Sequence, residues 1–296
     1  MKGFASLEEL LRQIREDNSS GAAQLAHKGA QLLLDVLNEE KDEEIIALGR
    51  ALIDAQPSMA PMINLVNQLF AAIDALEDQQ SIKKKGIAAV QGFLDNLIAG
   101  PEKIKRYGLA LLKDKRKAIT HSYSSTVLDV LGHAEGIEVI CPEARPLLEG
   151  LRTAQELGER GIRTRIVVDS AAPSLIGECD VVIVGADAVT PEGVVNKIGT
   201  YALALAAREQ KIPFYVLAGT EKFLPPPFSQ ALRIEEKDPK EVTQEAIPHS
   251  RVQNRYFDIT PLDLITGVVT QEGVIPGKEV QTILEGMKMS KELKKP

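Results

Sequence analysis

Hydrophobic positions recur at helical spacing through the first third of the chain, in Leu7, Leu10, Leu11 and Ile14 and again in Leu25, Leu32, Leu33, Val36 and Leu37. Apolar residues three and four apart gather on one helix face, so the pattern predicts a bundle of four or five helices from residue 6 to about 115. Ser20-Gly21-Ala22 and Gln56-Pro57-Ser58 interrupt it, the second with a proline suited to a turn or a first helical position.

From about residue 117 the period changes. Short β-branched runs, Ala118-Ile119-Thr120, Glu138-Val139-Ile140-Cys141, Arg165-Ile166-Val167-Val168, Val181-Val182-Ile183-Val184 and Phe214-Tyr215-Val216-Leu217, are each followed by an amphipathic stretch. They are too apolar for loops and too short for buried helices, as expected of parallel strands covered on both faces. The intervening helices are expected to begin near Ser124, Arg145, Pro173 and Lys197. The predicted fold class is α/β: an N-terminal helical domain over residues 1–115, then a Rossmann-like, doubly wound, mainly parallel sheet over residues 116–296. Glu235 to Val252, charged and containing Pro239 and Pro248, predicts a long loop, and the lysine-rich stretch from Leu284 to Pro296 predicts a frayed end.

Open sheets of this kind bind ligands beyond the carboxyl ends of their strands. That rule selects Thr120-His121-Ser122, the stretch from Cys141 to Pro146, Asp169-Ser170-Ala171-Ala172 and Gly185-Ala186-Asp187. Small residues there let backbone amides approach a phosphate, and Arg145 offers a bidentate contact. Asn196-Lys197-Ile198-Gly199-Thr200 reads as a helix opening that brings an amide and a cation to the same edge, or as a plain capped helix start. Asp187, directly after Val181-Val182-Ile183-Val184-Gly185-Ala186, is expected to be partly desolvated, which suits acid/base work; a capping role is the alternative. His121 reads as a base or as a strand-end histidine bonded to the backbone. Cys141 reads as a reactive thiol or as a small buried hydrophobe.

Composition narrows the field. The 296 residues include 44% hydrophobic ones, enough for a large core, and carry a formal charge of −7, which disfavours a protein coated for nucleic acid. Basic runs at Lys83 to Lys85, Lys103 to Arg106 and Lys113 to Lys117 read as solvated helix faces or as a local surface for RNA, an acidic protein or a phosphate. The two cysteines, Cys141 and Cys179, have no metal-ligand spacing, so no metal and no disulfide framework is expected. There is no GxGxxG, no Walker loop and no HExxH, and no metal or redox cofactor is called for. Without an apolar run of eighteen residues or a signal-like start, no membrane association and a cytoplasmic address are expected.

Three stretches carry a family resemblance: CPEARPLLEGLRTAQEL, VVIVGADAVTPEGVVNKIGTYALALAAREQKIPFYVLA and NRYFDITPLDLITGVVTQEGVIP. In this order the chain resembles the superfamily that joins translation initiation factor 2B alpha, beta and delta subunits with the aldose-1-phosphate isomerases, among them methylthioribose-1-phosphate and ribose-1,5-bisphosphate isomerase. The resemblance implies a helical domain before a Rossmann-like one, homo-oligomers formed through the latter, and a phosphorylated sugar or nucleotide as ligand. For the isomerase branch it implies that a cysteine and an aspartate move a proton between C1 and C2. Asp187 matches the family aspartate, which resembles glutamate in the initiation-factor alpha branch. With Arg145-Pro146 aligned on the family arginine-proline, the cysteine position falls at Pro142, one residue after Cys141. Ser20-Gly21-Ala22 stands where isomerases have Arg-Gly-Ala, and Thr120-His121-Ser122-Tyr123 where methylthioribose-1-phosphate isomerase has Thr-His-Cys-Asn. The isomerase reading assigns catalysis to Cys141 and Asp187, and binding to Gly21, Ala22, Thr120, His121, Arg145, Asn196 and Lys197. The alternative is a non-catalytic regulatory subunit with a translation GTPase as partner.

Overall fold

The predicted apolar stripes close on one another in five helices: α1 (Leu7–Glu16), α2 (Ala22–Asn38), α3 (Asp42–Ala55), α4 (Ala60–Asp74) and α5 (Ile82–Leu112). The computed structural model describes residues 7–17, 21–39, 42–57, 59–75, 82–229, 234 and 236–293; Ser20, Ser58 and Glu235 lie outside them. Leu25, Leu33, Leu37, Leu48, Leu52 and Phe70 are buried in a single helical core.

The chain divides into two compact units. One comprises Met1–Ala99, Glu221–Leu232 and Gly286–Pro296, the other Gly100–Thr220 and Arg233–Glu285, so α5 runs through the division and two later segments join the helical unit. Buried asparagines explain their return. Asn64 donates to the carbonyls of Glu221 and Phe223, each at 2.7 Å. Asn67 accepts from the Ser290 amide at 2.9 Å, and Asp74 accepts from the Ser290 hydroxyl and the Lys291 amide, both at 2.6 Å. The frayed end expected from Leu284 onward is therefore corrected within the described residues: Leu284 is buried, and the residues around Ser290 are tied down by polar side chains.

In the α/β unit the strands are β1 (Lys117–Ile119), β2 (Glu138–Pro142), β3 (Arg163–Val167), β4 (Val181–Val184), β5 (Ala188–Thr190), β6 (Gly193–Lys197), β7 (Phe214–Leu217), β8 (Phe257–Thr260), β9 (Gly267–Thr270) and β10 (Gly273–Pro276). Seven form one sheet in the order β10-β9-β7-β4-β1-β2-β3, parallel except for β10. The chain steps from β1 outward to β2 and β3, then crosses to β4 and proceeds to β7 and β9 on the other side. The switch point of this doubly wound sheet thus lies between β1 and β4.

The helices α6 (Ser125–Leu131), α7 (Glu149–Glu159), α8 (Thr200–Gln210), α9 (Pro226–Ser229) and α10 (Gly277–Gly286) complete the order. Ser124 caps α6 as its position predicts. The start expected at Arg145 moves to Glu149, because Pro146 disfavours helical backbone at Arg145 and both Ala144 and Leu148 are left-handed. The helix expected near Pro173 is a 3-10 segment, Asp169–Glu178.

Asn196 and Lys197 do not open a helix. They end β6, in a separate three-stranded antiparallel sheet, β5-β6-β8, whose strands are short and come from distant parts of the chain. The segment from Glu236 to Val252 carries only a single 3-10 turn, Pro239–Glu241, and an isolated bridge from Glu236 to Arg255, as a long loop should.

Candidate functional site

Beyond β1 the chain delivers Thr120, His121 and Ser122, all buried, to the switch point. His121 Nε2 lies 2.7 Å from the carbonyl of Ile198. A carbonyl can only accept, so Nε2 carries the hydrogen and Nδ1 keeps its lone pair. Nδ1 is buried and has no partner. Burial pushes the His121 pKa below the usual histidine value, against the pull of the Ile198 hydrogen bond and of Asp169, so the ring is neutral at pH 7.

Lys197 is 5% exposed. Its ammonium meets Glu149 Oε1, at the first residue of α7, at 2.6 Å and sits 4.4 Å from the centre of the Tyr256 ring and 5.5 Å from that of Phe257. Carboxylate and aromatic faces together compensate the loss of water around the cation. Glu149 Oε2 is buried with no partner. Two acceptors in search of donors, His121 Nδ1 and Glu149 Oε2, thus border a buried cation.

Arg145 is exposed, and its guanidinium donates to the carbonyls of Val242 at 2.9 Å and Glu241 at 3.4 Å. The Glu241 carboxylate accepts from Asn254 at 2.7 Å and from the Tyr256 hydroxyl at 2.5 Å. Arg145 therefore anchors the long loop, whose Tyr256 end packs on Lys197. Asp169 orients the turn before it by accepting from the amides of Ala144 and Arg145 at 2.8 and 2.7 Å. Asn196 donates to the Thr200 hydroxyl at 3.0 Å instead of capping α8. That cap is Asp258, which accepts from Gly199 and Tyr201.

Two sequence expectations change here. Cys141 is fully buried among Ala118, Val127, Val139, Ala154 and Leu157, and burial pushes its thiol up to about 12, so it stays protonated as a packing group. Strand alternation turns Pro142, the position aligned with the family cysteine, to the opposite face of the sheet. Asp187 is exposed, not desolvated, because it stands where the chain leaves β4 for the small sheet; its amide donates to Val195 at 2.8 Å. Gly21 and Ala22, in the helical unit, cap and begin α2, and the Gly21 amide already donates to the Gln24 side chain at 3.3 Å. Glu149 and Tyr256 were not selected from sequence; Phe257-Asp258-Ile259-Thr260-Pro261 reads there as structural, with Asp258 or Thr260 capping the last helices and a substrate role as the alternative, and the structure makes Asp258 the cap of α8 instead. Glu149 had a signal, an acid four residues after Arg145 at a helix start; Asp258 had one in its Phe-Asp-Ile-Thr-Pro setting. Among the described residues no group of three or more His, Cys, Asp or Glu side chains could hold a metal ion, and no helix is long and apolar enough to cross a membrane.

These features define a two-unit α/β protein with a buried, incompletely satisfied polar cluster at the switch point of a doubly wound sheet. The chain belongs to the Initiation factor 2 subunit family, whose model matches residues 7–277. It is 36% identical over 287 residues to the ribose 1,5-bisphosphate isomerase of Archaeoglobus fulgidus, covering 91% of this chain and 90% of that one. Among solved structures it is similar to translation initiation factor eIF-2B of Pyrococcus horikoshii, with a TM-score of 0.76, 33% identity, and coverage of 93% of this chain and 98% of that one. It is also similar to 5-methylthioribose 1-phosphate isomerase of Pyrococcus horikoshii, with a TM-score of 0.71, 25% identity, and coverage of 95% and 88%.

Proposed function

We propose that this chain binds a phosphorylated ribose at the strand ends and isomerises it from aldose 1-phosphate to ketose. The observation that carries the reading is the pair of buried acceptors, His121 Nδ1 and Glu149 Oε2, beside the buried Lys197 ammonium. A ligand with hydroxyl donors and a negative charge completes all three. The activity named for the Archaeoglobus relative supports the same class of substrate.

In such an isomerisation the ring C1–O bond breaks and its oxygen takes a proton, while hydrogen moves from C2 to C1 and the C2 hydroxyl becomes a carbonyl. Two hydrogens change place and none is gained or lost. Asp187, exposed at the end of β4, is assigned the proton exchange with the ring oxygen. The neutral His121 accepts the C2 hydroxyl proton at Nδ1, and Lys197 offsets the anionic charge. Cys141 has no part in these steps. Exposed Ile166 on the edge strand β3 and Val168 just beyond its end, at 55% and 54%, favour assembly of two copies through the α/β unit.

The test is incubation of the purified chain with ribose 1,5-bisphosphate, 5-methylthioribose 1-phosphate and 5-deoxyribose 1-phosphate, with ketose formation followed by NMR. Ketose from one of them is the expected result, and none from any would overturn catalysis. A second reading, a regulatory subunit that senses a sugar phosphate or nucleotide, is favoured by Ser122 standing where the isomerase Thr-His-Cys-Asn pattern has cysteine. It predicts thermal stabilisation by such a ligand without turnover, and retention of a translation GTPase in a pull-down.

A further inference from the structure

The turn joining β6 to α8 is clamped by side chains and backbone from several parts of the α/β unit. Ile198 donates its amide to the Tyr256 carbonyl at 2.7 Å and receives His121 Nε2–H on its own carbonyl at 2.7 Å. The Thr200 hydroxyl donates to the Lys197 carbonyl at 2.6 Å. Gly199 has a φ of +106°, and a Cβ there would stand 2.9 Å from His121 Nε2, so the turn lies directly against the imidazole.

No side chain of this turn caps α8. Asp258 does so from β8, where it pairs with Asn196: its Oδ2 accepts from the Gly199 amide at 2.7 Å and the Tyr201 amide at 3.2 Å. A carboxylate at the first turn of an eleven-residue helix also meets the positive end of the helix dipole. Gly199 is thus held on one side by Asp258, and the residue before it holds His121.

We propose that Asp258 is a positioning residue for the strand-end site: by fixing Gly199 and Tyr201 it fixes the Ile198 carbonyl, and through that carbonyl it holds His121 as the Nε2–H tautomer with Nδ1 presented as an acceptor. The inference rests on the reading that Nδ1 serves a sugar-phosphate site. Without the clamp the carbonyl drifts, the proton redistributes between the two ring nitrogens, and part of the population offers a ligand hydroxyl a donor where it needs an acceptor.

The experiment uses the full chain labelled with 15N-histidine, with the His121 signals identified by their loss in His121→Gln. The ring nitrogens of wild type should read as a single Nε2–H tautomer. Asp258→Ala, checked for folding by circular dichroism and thermal melting, should show both tautomers; if it does not fold, Asp258→Ser takes its place. Asp258→Asn keeps one oxygen able to accept from Gly199 and should restore most of the wild-type tautomer. A folded alanine or serine variant with the wild-type tautomer alone, or an asparagine variant no closer to wild type than alanine, would falsify the proposal. If wild type turns over one of the sugar phosphates, the alanine variant should lose on the order of 100-fold in kcat with a smaller change in KM, the size of effect that a misplaced reacting group produces. If wild type turns over none of them, the functional reading fails while the tautomer measurement still decides the role of Asp258.

Discussion

The helical unit and the α/β unit bury polar groups for different ends. Among the described residues of the helical unit the buried polar ones are Asn64, Asn67 and Ser290, and each makes a hydrogen bond that ties a returning segment to the bundle. In the α/β unit Thr120, His121, Ser122, Asn196, Lys197 and Thr200 are buried together at or beside the strand ends, and the cluster leaves His121 Nδ1 and Glu149 Oε2 unsatisfied. Burying a polar atom without a partner costs about 1–3 kcal/mol. A bundle has no reason to carry that cost, whereas a site can recover it when its ligand arrives. The contrast separates polar burial that serves the fold from polar burial that serves binding.

The sharpest way to break this contrast is at Lys197. Lys197→Met leaves Glu149 half-buried without its cation, and the expected loss is about 3 kcal/mol in urea unfolding, the order seen when one partner of a buried pair is removed. The double variant Lys197→Met with Glu149→Gln should regain most of that stability, because no lone charge remains, yet still fail to bind any phosphorylated ribose by calorimetry. Binding by the double variant would show that the pair is merely structural.

Asp258 gives the next largest effect, and its sign is defined. Burial raises its carboxyl to about 6 despite the two amides that favour the charged form. A carboxyl with a raised folded pKa contributes stability that is fully present below its unfolded value, about 4, and lost as pH rises through about 6. Relative to Asp258→Asn, wild type should therefore lose about 2 kcal/mol between pH 4 and 6 and change little above, as unfolding at several pH values would reveal. A flat difference across that window would mean that the carboxyl is as well solvated as a surface aspartate.

In the helical unit, Asn64→Ala removes the donor shared by two carbonyls, Glu221 and Phe223. About 2 kcal/mol of destabilisation is expected, with ligand affinity unchanged, and a loss of affinity would contradict the separation of roles drawn between the two units.

Much of the fold was legible because periodicity reports burial. The stripes of α2 and the apolar runs of β1, β2, β4 and β7 each bury one continuous set of neighbours, so local pattern and tertiary outcome agree. The small sheet was not legible, since β6 pairs with β8 some sixty residues later and short strands of mixed character carry no period. The site was half legible for the same reason. The strand-end rule pointed to His121 because it depends only on topology, whereas Lys197, read from sequence as part of a helix opening, reaches the cluster as the last residue of β6, and Glu149 and Asp258 matter through partners remote in sequence. Of the two readings of Cys141, the small buried hydrophobe fits its burial, because β-strand residues alternate faces and a position next to a strand end is as apt to enter the core as the site.

Cys141 also supplies the smallest and most discriminating expectation. Its sulfur is packed among side chains of β1, β2, α6 and α7, and among the described residues its hydrogen-bond contact is a long one of 4.0 Å to the Val139 carbonyl. Cys141→Ala removes one buried heavy atom, so the expected cost is about 1 kcal/mol, with ketose formation on the productive sugar phosphate unchanged at every pH. A thiol held at about 12 should also resist alkylation by iodoacetamide in the native state and react once the chain is unfolded. Fast native alkylation of Cys141 with loss of turnover would place the thiol on the other side of the comparison, among the groups buried for the site. Slow alkylation with activity intact leaves His121 and Asp187 as the proton-transfer groups to be tested next.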